Sequence, residues 1–179
     1  MSLTLRPLTD EDEASFRRGL KEWSESELRW YAPDWKQGMS FPNLLIRLQK
    51  NRNGSELPTN FVPSTMLYGF VDRIIVGHLK VRHRLNEASK IYGGHIGYSV
   101  MSKYRSRGYA SAMLRQALPI CLSVGIRDAL ITVDDDNAHS IRVIEKAGGR
   151  LQDTFYNATV KKPIRRYWVK CEGSSKWVG

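Results

Sequence analysis

The chain has 179 residues, of which 41% are hydrophobic and 26% charged, a composition typical of one ordinary folded domain with an apolar core. Its 28 Lys and Arg residues exceed its 18 Asp and Glu residues, so the net charge of +10 favours anionic partners: nucleic acid, an acidic membrane surface or a phosphorylated small molecule. The two cysteines form no C-x-x-C or Cys/His cluster, which argues against a disulfide framework or a structural metal site. A solvated basic surface without a specific partner explains the charge equally well.

The sequence contains no internal repeat, low-complexity tract or change in composition. We therefore predict a single domain over residues 1–179. No segment approaches the roughly 20 apolar residues that a membrane span needs, and the first residues lack the apolar stretch of a signal peptide. We expect a protein of the cytoplasm.

The first third of the chain predicts one strand and two helices. Leu3–Leu8 alternates like a strand, and the acidic residues after Thr9 are typical of a helix start. Pro42–Lys50 has helical spacing, which ends at Asn51–Gly54. Between these helices lie Trp23, Trp30, Tyr31 and Trp35. Aromatic side chains there either line a pocket or pack two helices together.

The middle of the chain predicts strands. Ser64–Val71 and Ile74–His83 form a hairpin around a turn at Asp72–Arg73, and His95–Met101 is a further strand. An amphipathic helix then presents one apolar face, built from Ala110, Met113, Leu114, Ala117, Leu118 and Cys121.

The last third completes the predicted sheet. We expect Pro119 to disturb the preceding helix and Gly125 to lie just past its end. Asp128–Val133 is a buried strand, so that strand, helix and strand form a parallel βαβ unit. A helix over 137–147 and a hairpin around residues 161–163 follow. The predicted fold class is α+β: a mixed central sheet with an antiparallel N-terminal part, a parallel βαβ unit and a C-terminal antiparallel hairpin.

One stretch, YRSRGYASAML from Tyr104 to Leu114, joins a strand to a helix. The first turn of a helix offers unpaired N–H groups and the positive end of the helix dipole. Arg105 and Arg107 add positive charge, and Gly108 lets an anion approach the backbone without meeting a Cβ atom. The stretch predicts a cradle for a pyrophosphate. It is neither a P-loop nor the dinucleotide G-x-G-x-x-G motif.

The spacing Arg105-x-x-Gly108-x-Ala110 resembles the signature of the GNAT superfamily of acetyl-CoA-dependent N-acetyltransferases. In that family this turn holds the pyrophosphate of coenzyme A, and backbone groups of the preceding strand pair with the pantetheine arm. VDDDNAHSIRVIEKAGG resembles the family's next strand-to-helix segment. The resemblance implies acetyl-CoA as cosubstrate and these cofactor-binding residues: Val100, Arg105, Ser106, Arg107, Gly108, Tyr109, Ala110, Asn137 and Ser140.

Three further segments resemble a bacterial subgroup of the same family. VRHRLN and GGHIGY correspond to its R-H-x-L-N and G-G-H-I-G-Y segments, and RRYW (Arg165–Trp168) to its C-terminal strand. The implied function is transfer of an acetyl group from acetyl-CoA to a primary amine by direct attack.

The catalytic groups are less defined. Acetyl transfer requires a neutral amine, so the protein supplies a proton acceptor or a positive, partly dry site that lowers the amine's pKa. His95 and Tyr98 are the nearby candidates for base and acid, although alternation places them on opposite faces of their strand. A histidine satisfied by core hydrogen bonds and a packed tyrosine are the competing interpretations. Asp134–Asp136 and His83 are weaker candidates. The favoured interpretation is a solvated acidic loop for Asp134–Asp136 and a contact that orients the following turn for His83.

The chain departs from the family at two positions. Many members place a tyrosine four residues after the Ser140 position, as general acid for the thiolate, where this chain has Ile144. Gly94 stands where many members have a carboxylate. Tyr98, Tyr109 or water would then protonate the thiolate. A coenzyme-binding sensor without turnover and a basic nucleic-acid-binding module remain alternatives, and the sequence identifies neither the amine acceptor nor the oligomeric state.

Overall fold

The computed structural model of this protein describes residues 2–172, which contain seven strands and six α-helices. Short 3-10 helices lie at Asp10–Asp12 and Ser102–Tyr104. In chain order the elements are β1 (Thr4–Arg6), α1 (Glu13–Glu22), α2 (Glu25–Tyr31), α3 (Phe41–Asn53), β2 (Ser64–Val71), β3 (Ile74–Arg82), α4 (Glu87–Ile91), β4 (Ile96–Val100), α5 (Tyr109–Ser123), β5 (Asp128–Asp134), α6 (Ala138–Lys146), β6 (Arg150–Asn157) and β7 (Lys162–Lys170).

The strands form two antiparallel sheets, ordered β1-β2-β3-β4 and β5-β7-β6. The hairpin predicted around Asp72–Arg73 is present, and both turn residues have positive φ (47° and 64°), as the tight turns of hairpins require. The C-terminal hairpin is present as β6 and β7. The predicted α+β class, with antiparallel first and last parts, is confirmed.

The middle of the predicted sheet differs in detail. β4 and β5 were expected to pair as parallel strands, but they belong to different sheets. Among the described residues, one backbone hydrogen bond links their ends: His95 N–H donates to the Leu130 carbonyl at 2.7 Å. Beyond this bond no ladder joins the two strands, and a gap opens between them.

Two apolar cores hold the sheets. Helix α5 packs against β3, β4 and β1 and buries Met113, Leu114 and Ala117 in the first core, as its periodicity predicts. The helix runs through Pro119 to Ser123 before Gly125, so the proline does not end it.

The second core is aromatic. Trp23 and Tyr31 are buried in it and stack at a centroid distance of 5.2 Å, and Phe16 stacks on Tyr31 at 5.4 Å. Trp35 packs against the same core, whereas Trp30 is 50% exposed. Packing of the helices therefore accounts for three of the four N-terminal aromatic residues that were singled out.

His78 on β3 is buried against the second core. Its ring lies 5.2 Å from Trp23 and 6.2 Å from Tyr31, and neither ring nitrogen has a hydrogen-bond partner among the described residues. Burial lowers the pKa of His78 to about 3. The side chain is therefore neutral at pH 7 and resists protonation in the folded state.

We predict that His78 makes the protein less stable in mild acid. Because an unfolded histidine titrates near pH 6.5, the unfolded state binds a proton that the folded state refuses between about pH 6.5 and 3, and stability falls as pH falls through that window. Urea unfolding at pH 7 and pH 5 measures the loss. His78→Phe is expected to reduce the difference in unfolding free energy between pH 7 and pH 5 by about 2 kcal/mol. An unchanged difference would contradict this role of His78.

A second prediction concerns Gly94, which lies at the contact between β4 and β5. Gly94 has φ +59°, and a Cβ atom there would lie 2.3 Å from the Leu130 carbonyl oxygen. Gly94→Ala is therefore expected to cost about 2–4 kcal/mol of unfolding free energy. Gly97→Ala is the matched control, because nothing lies within 4 Å of its Cβ position. Equal losses of unfolding free energy in the two variants, measured by chemical denaturation, would contradict the role of Gly94 in the contact between β4 and β5.

Candidate active site

The turn before α5 has the conformation of an anion cradle. Ser106 and Gly108 have positive φ (61° and 80°), and Gly108 is the N-cap of α5. Among residues 2–172, the N–H groups of residues 106–111 have no hydrogen-bond acceptor. Nothing lies within 4 Å of the position that a Gly108 Cβ atom would take. Unpaired donors at the positive end of a 15-residue helix suit a phosphate group.

This turn borders a cleft of about 460 Å³, which we call the glycine-turn cleft. Its wall includes every residue predicted to bind the cofactor except Arg107. The Arg107 guanidinium instead lies 5.7 Å from the centre of the Tyr104 ring. Residues that the sequence interpretation missed complete the wall: Glu27, Ser99, Tyr104, Ser111, His139 and Val143.

Arg105 connects three parts of this cleft. Its Nε donates to the Val100 carbonyl at 3.0 Å, and its guanidinium forms an ion pair with Glu27 of α2. Lys103 reaches Glu22 of α1 at 2.8 Å in a parallel contact. These bonds attach the N-terminal helices to the turn.

Strand β4 presents one backbone edge to the gap. The Arg82 N–H bonds to the His95 carbonyl and the Met101 N–H to the Val76 carbonyl, which fixes the residues of β4 that face β3. Because the facing residues alternate, the N–H and C=O groups of Tyr98 and Val100 point away from β3, toward the gap. Donors and acceptors at this edge are where the resemblance places the pantetheine arm.

A second cavity of about 510 Å³ lies next to the first. We call it the basic cavity, because Arg29, Lys80 and Arg82 border it. Its floor comes from alternate residues of β3, namely His78, Lys80 and Arg82, and from Gly97 and Ser99 of β4, which pair with Lys80 and His78. Trp30, Tyr92 and Asp134 form part of its rim.

The two cavities share four residues: Tyr98, Ser99, Asn137 and Ser140. Asn137 caps α6, and its Oδ1 accepts from the Ser140 N–H at 3.1 Å. The Tyr98 hydroxyl lies 3.4 Å from the Ser140 carbonyl oxygen, to which it donates. Burial raises the pKa of Tyr98 to about 12, so the phenol keeps its proton near neutral pH. Tyr98 is therefore suited to donate a proton and not to accept one.

His95 lies elsewhere. It borders neither cavity, and its Nδ1 accepts a hydrogen bond from the Leu130 N–H at 2.9 Å. In the neutral imidazole the proton then sits on Nε2, so no ring nitrogen is free to accept another. Burial, together with the nearby Arg82, lowers the pKa of His95. The geometry therefore supports a structural role for His95 at the β4–β5 contact. It does not support a role for His95 as a catalytic base.

The two departures from the family pattern are also explained by packing. Ile144 is completely buried in the first core and reaches the basic cavity, so no hydroxyl stands there. Gly94 allows the close approach to β5 described above. The weaker candidates are engaged as well: His83 Nε2 lies 2.8 Å from Thr65 Oγ1, Asp134 pairs with Lys162 at 3.2 Å, and Asp135 pairs with Arg165 at 2.5 Å.

The basic cavity was missed at the level of sequence, although a signal for it exists. In VGHLKVR, alternate positions His78, Lys80 and Arg82 are polar, whereas Leu79 and Val81 on the other face are buried. Such alternation on a strand covered by helices marks polar side chains directed to a ligand or a partner.

Two features are absent from the described residues. Within residues 2–172, no helix combines the length and apolar character that crossing a membrane requires. No group of three or more His, Cys, Asp or Glu side chains in that range is arranged to hold a metal ion. The two cysteines, Cys121 and Cys171, are buried and free.

Solved structures share the fold. The Mycobacterium smegmatis RimJ in complex with CoA-disulfide superposes with a TM-score of 0.63 at 18% identity, covering 97% of this chain and 84% of RimJ. RimL, a ribosomal L7/L12 alpha-N-protein acetyltransferase in complex with coenzyme A, gives 0.63 at 18%, with coverage of 95% and 94%. YncA from Salmonella typhimurium, a putative acetyltransferase with its cofactor acetyl-CoA, gives 0.60 at 12%, with coverage of 98% of each chain.

Sequence comparison identifies the family. No curated protein sequence matches this chain significantly. The family model described as "Acetyltransferase (GNAT) domain" matches residues 2–150, a span that includes the glycine turn, β4, β5 and α6. The chain therefore belongs to the GNAT acetyltransferase family.

Proposed function

We propose that this protein transfers an acetyl group from acetyl-CoA to a primary amine by direct attack. The observation that carries the proposal is the meeting of two cavities at Tyr98, Ser99, Asn137 and Ser140. One cavity ends in a cradle for a diphosphate, and the other has room for an acceptor. Transfer between two bound substrates needs this arrangement, since holding the reacting groups together supplies much of the rate. No observation favours a nucleic-acid-binding function.

The residues present fit a coenzyme A diphosphate. The N–H groups of residues 106–111 have no acceptor within the described part of the chain, and the space beside Gly108 is open. Arg105 and Arg107 supply positive charge. Arg105 does so by leaving its ion pair with Glu27 and pairing with the ligand. The N–H and C=O groups of Tyr98 and the N–H group of Val100 suit an amide-containing arm, and the same N–H groups suit a thioester oxygen.

The reaction needs two proton movements. The amine nitrogen forms a bond to the thioester carbonyl carbon, the carbon–sulfur bond breaks, the nitrogen loses a proton and the sulfur gains one. The four shared residues include no carboxylate or imidazole. We assign loss of the amine proton to solvent, favoured by the positive lining of the basic cavity, which lowers the amine's pKa. Tyr98 is the proposed proton donor to sulfur.

The cradle is tested by Gly108→Asp, which adds a side chain and a negative charge. Acetyl-CoA at 100 times its Kd is expected to raise the melting temperature of the wild type by about 5–10 °C, and the variant is expected to lose this shift. Gly125→Asp is the matched control at the other end of α5, because Gly125 also has positive φ (87°) and open space. Persistence of the shift in Gly108→Asp would remove the cradle from the proposal.

The proton donor is tested by Tyr98→Phe. Loss of a general acid is expected to lower kcat about 100-fold, while the acetyl-CoA melting shift is retained. A free-thiol assay over a panel of amines measures turnover, and His95→Gln is expected to keep the wild-type pH–rate profile. An unchanged kcat in Tyr98→Phe would move the role to Tyr109 or water. A melting shift without thiol release from any amine would favour the sensor alternative.

A further inference from the structure

The basic cavity has more cations than carboxylates. Arg29, Lys80 and Arg82 border it, and Asp134 is its one carboxylate. Asp134 is already engaged, since its Oδ2 lies 3.2 Å from Lys162 Nζ. Within residues 2–172, no carboxylate lies within the 4.0 Å ion-pair distance of the three cations. The cavity therefore carries positive charge that the described chain does not neutralise.

Lys80 occupies the most constrained position of the three. It is half-buried on the floor, next to Arg82 on the same strand face and opposite Gly97. Burial and the charge of Arg82 both lower the pKa of Lys80, and Asp34 opposes this only in part. Asp34 itself lies 3.4 Å from Arg47. Removing an ammonium from water without a counter-ion costs free energy, and an anion supplied by a ligand would recover it.

A second, independent observation points to a ligand in the same place. His78, two residues along β3 from Lys80, is 4% exposed, borders the cavity and has no hydrogen-bond partner for either ring nitrogen. Buried polar atoms are nearly always paired in folded proteins, and each exception needs an explanation. A ligand with oxygen or nitrogen atoms near the floor would provide the missing partner.

From these observations we infer that the acceptor is an acidic amino acid or an acidic N-terminal residue, whose side-chain carboxylate Lys80 binds with Arg82 and Arg29 around it. This inference rests on the proposed acetyl transfer and defines its acceptor. A neutral side chain would leave Lys80 without a counter-ion, whereas an acidic side chain supplies one and places the amine toward Tyr98. A cavity of about 510 Å³ is in the size range of small-molecule sites.

Activity tests this with acceptor pairs that differ only in charge: aspartate against asparagine, and glutamate against glutamine. We expect kcat/KM at least 10-fold higher for the acidic member of each pair. Lys80→Met is expected to reduce that preference to threefold or less, mainly through KM, and Lys80→Arg to keep most of it. Lys21→Met, which removes an exposed charge outside both cavities, is the charge control. Equal activity within the wild-type pairs, or an unchanged preference in Lys80→Met, overturns the inference.

Binding provides a readout that does not need turnover. N-Acetylglutamate and N-acetylglutamine, at matched ionic strength, are compared by the melting temperature of wild type and Lys80→Met. We expect the acid to stabilise the wild type more than the amide does, and the variant to lose this difference while keeping its acetyl-CoA shift. Equal effects in the wild type refute the anion site even when acetyl transfer is observed. The expected difference without thiol release from any amine supports the site and refutes the proposed function.

The side-chain carboxylate has two sources, a free acidic amino acid and the N-terminal acidic residue of a peptide. A tripeptide beginning with Asp, compared with one beginning with Asn, separates them. If the preference for the acidic member over its amide is larger among the peptides, the acceptor is a peptide N-terminus. If that preference is larger among the free amino acids, the acceptor is a small molecule. Either result supports an anionic acceptor, and the absence of a preference in both arms refutes it.

Discussion

The site depends on the backbone contact between the two sheets at Gly94, His95 and Leu130. Gly94 approaches the backbone of β5 so closely that any side chain would collide with Leu130, and His95 bonds to both the carbonyl and the N–H of Leu130. These bonds fix where β4 and β5 meet. Because they are not continued by a ladder, β4 keeps the N–H and C=O groups of Tyr98 and the N–H group of Val100 unpaired on one edge among the described residues. A closed sheet would have used the same groups for its own hydrogen bonds.

Both cavities follow from that separation. The glycine turn, just after β4, gives the first cleft its unpaired N–H groups, and the polar face of β3 gives the second cavity its cations. Helix α2 takes part in both, since Glu27 borders the first and Arg29 and Trp30 the second. The Arg105–Glu27 ion pair attaches this helix to the glycine turn.

The sequence predicted the parts of the fold that local chemistry determines. The Asp72–Arg73 turn, the apolar face of α5 and the helix that follows β5 were predictable because each depends on a few neighbouring residues. The gap between β4 and β5 was not predictable, because it depends on a contact across 35 residues between His95 and Leu130. The same reason explains His95: its residue type suggested a base, and only its bond to Leu130 showed that its acceptor nitrogen is used. Lys80 was overlooked although it lies in the polar alternation His78, Lys80 and Arg82, because that pattern indicates a cavity only once the neighbours on β4 and α2 are known.

Gly97 has a separate consequence. It lies opposite Lys80 on the cavity floor, and nothing occupies the space where its side chain would be. The space on the cavity floor thus depends on a residue of β4, and part of its positive charge on a residue of β3. Since neither position supports the contact between the sheets, related chains can change the size limit and the charge selectivity of this cavity one at a time.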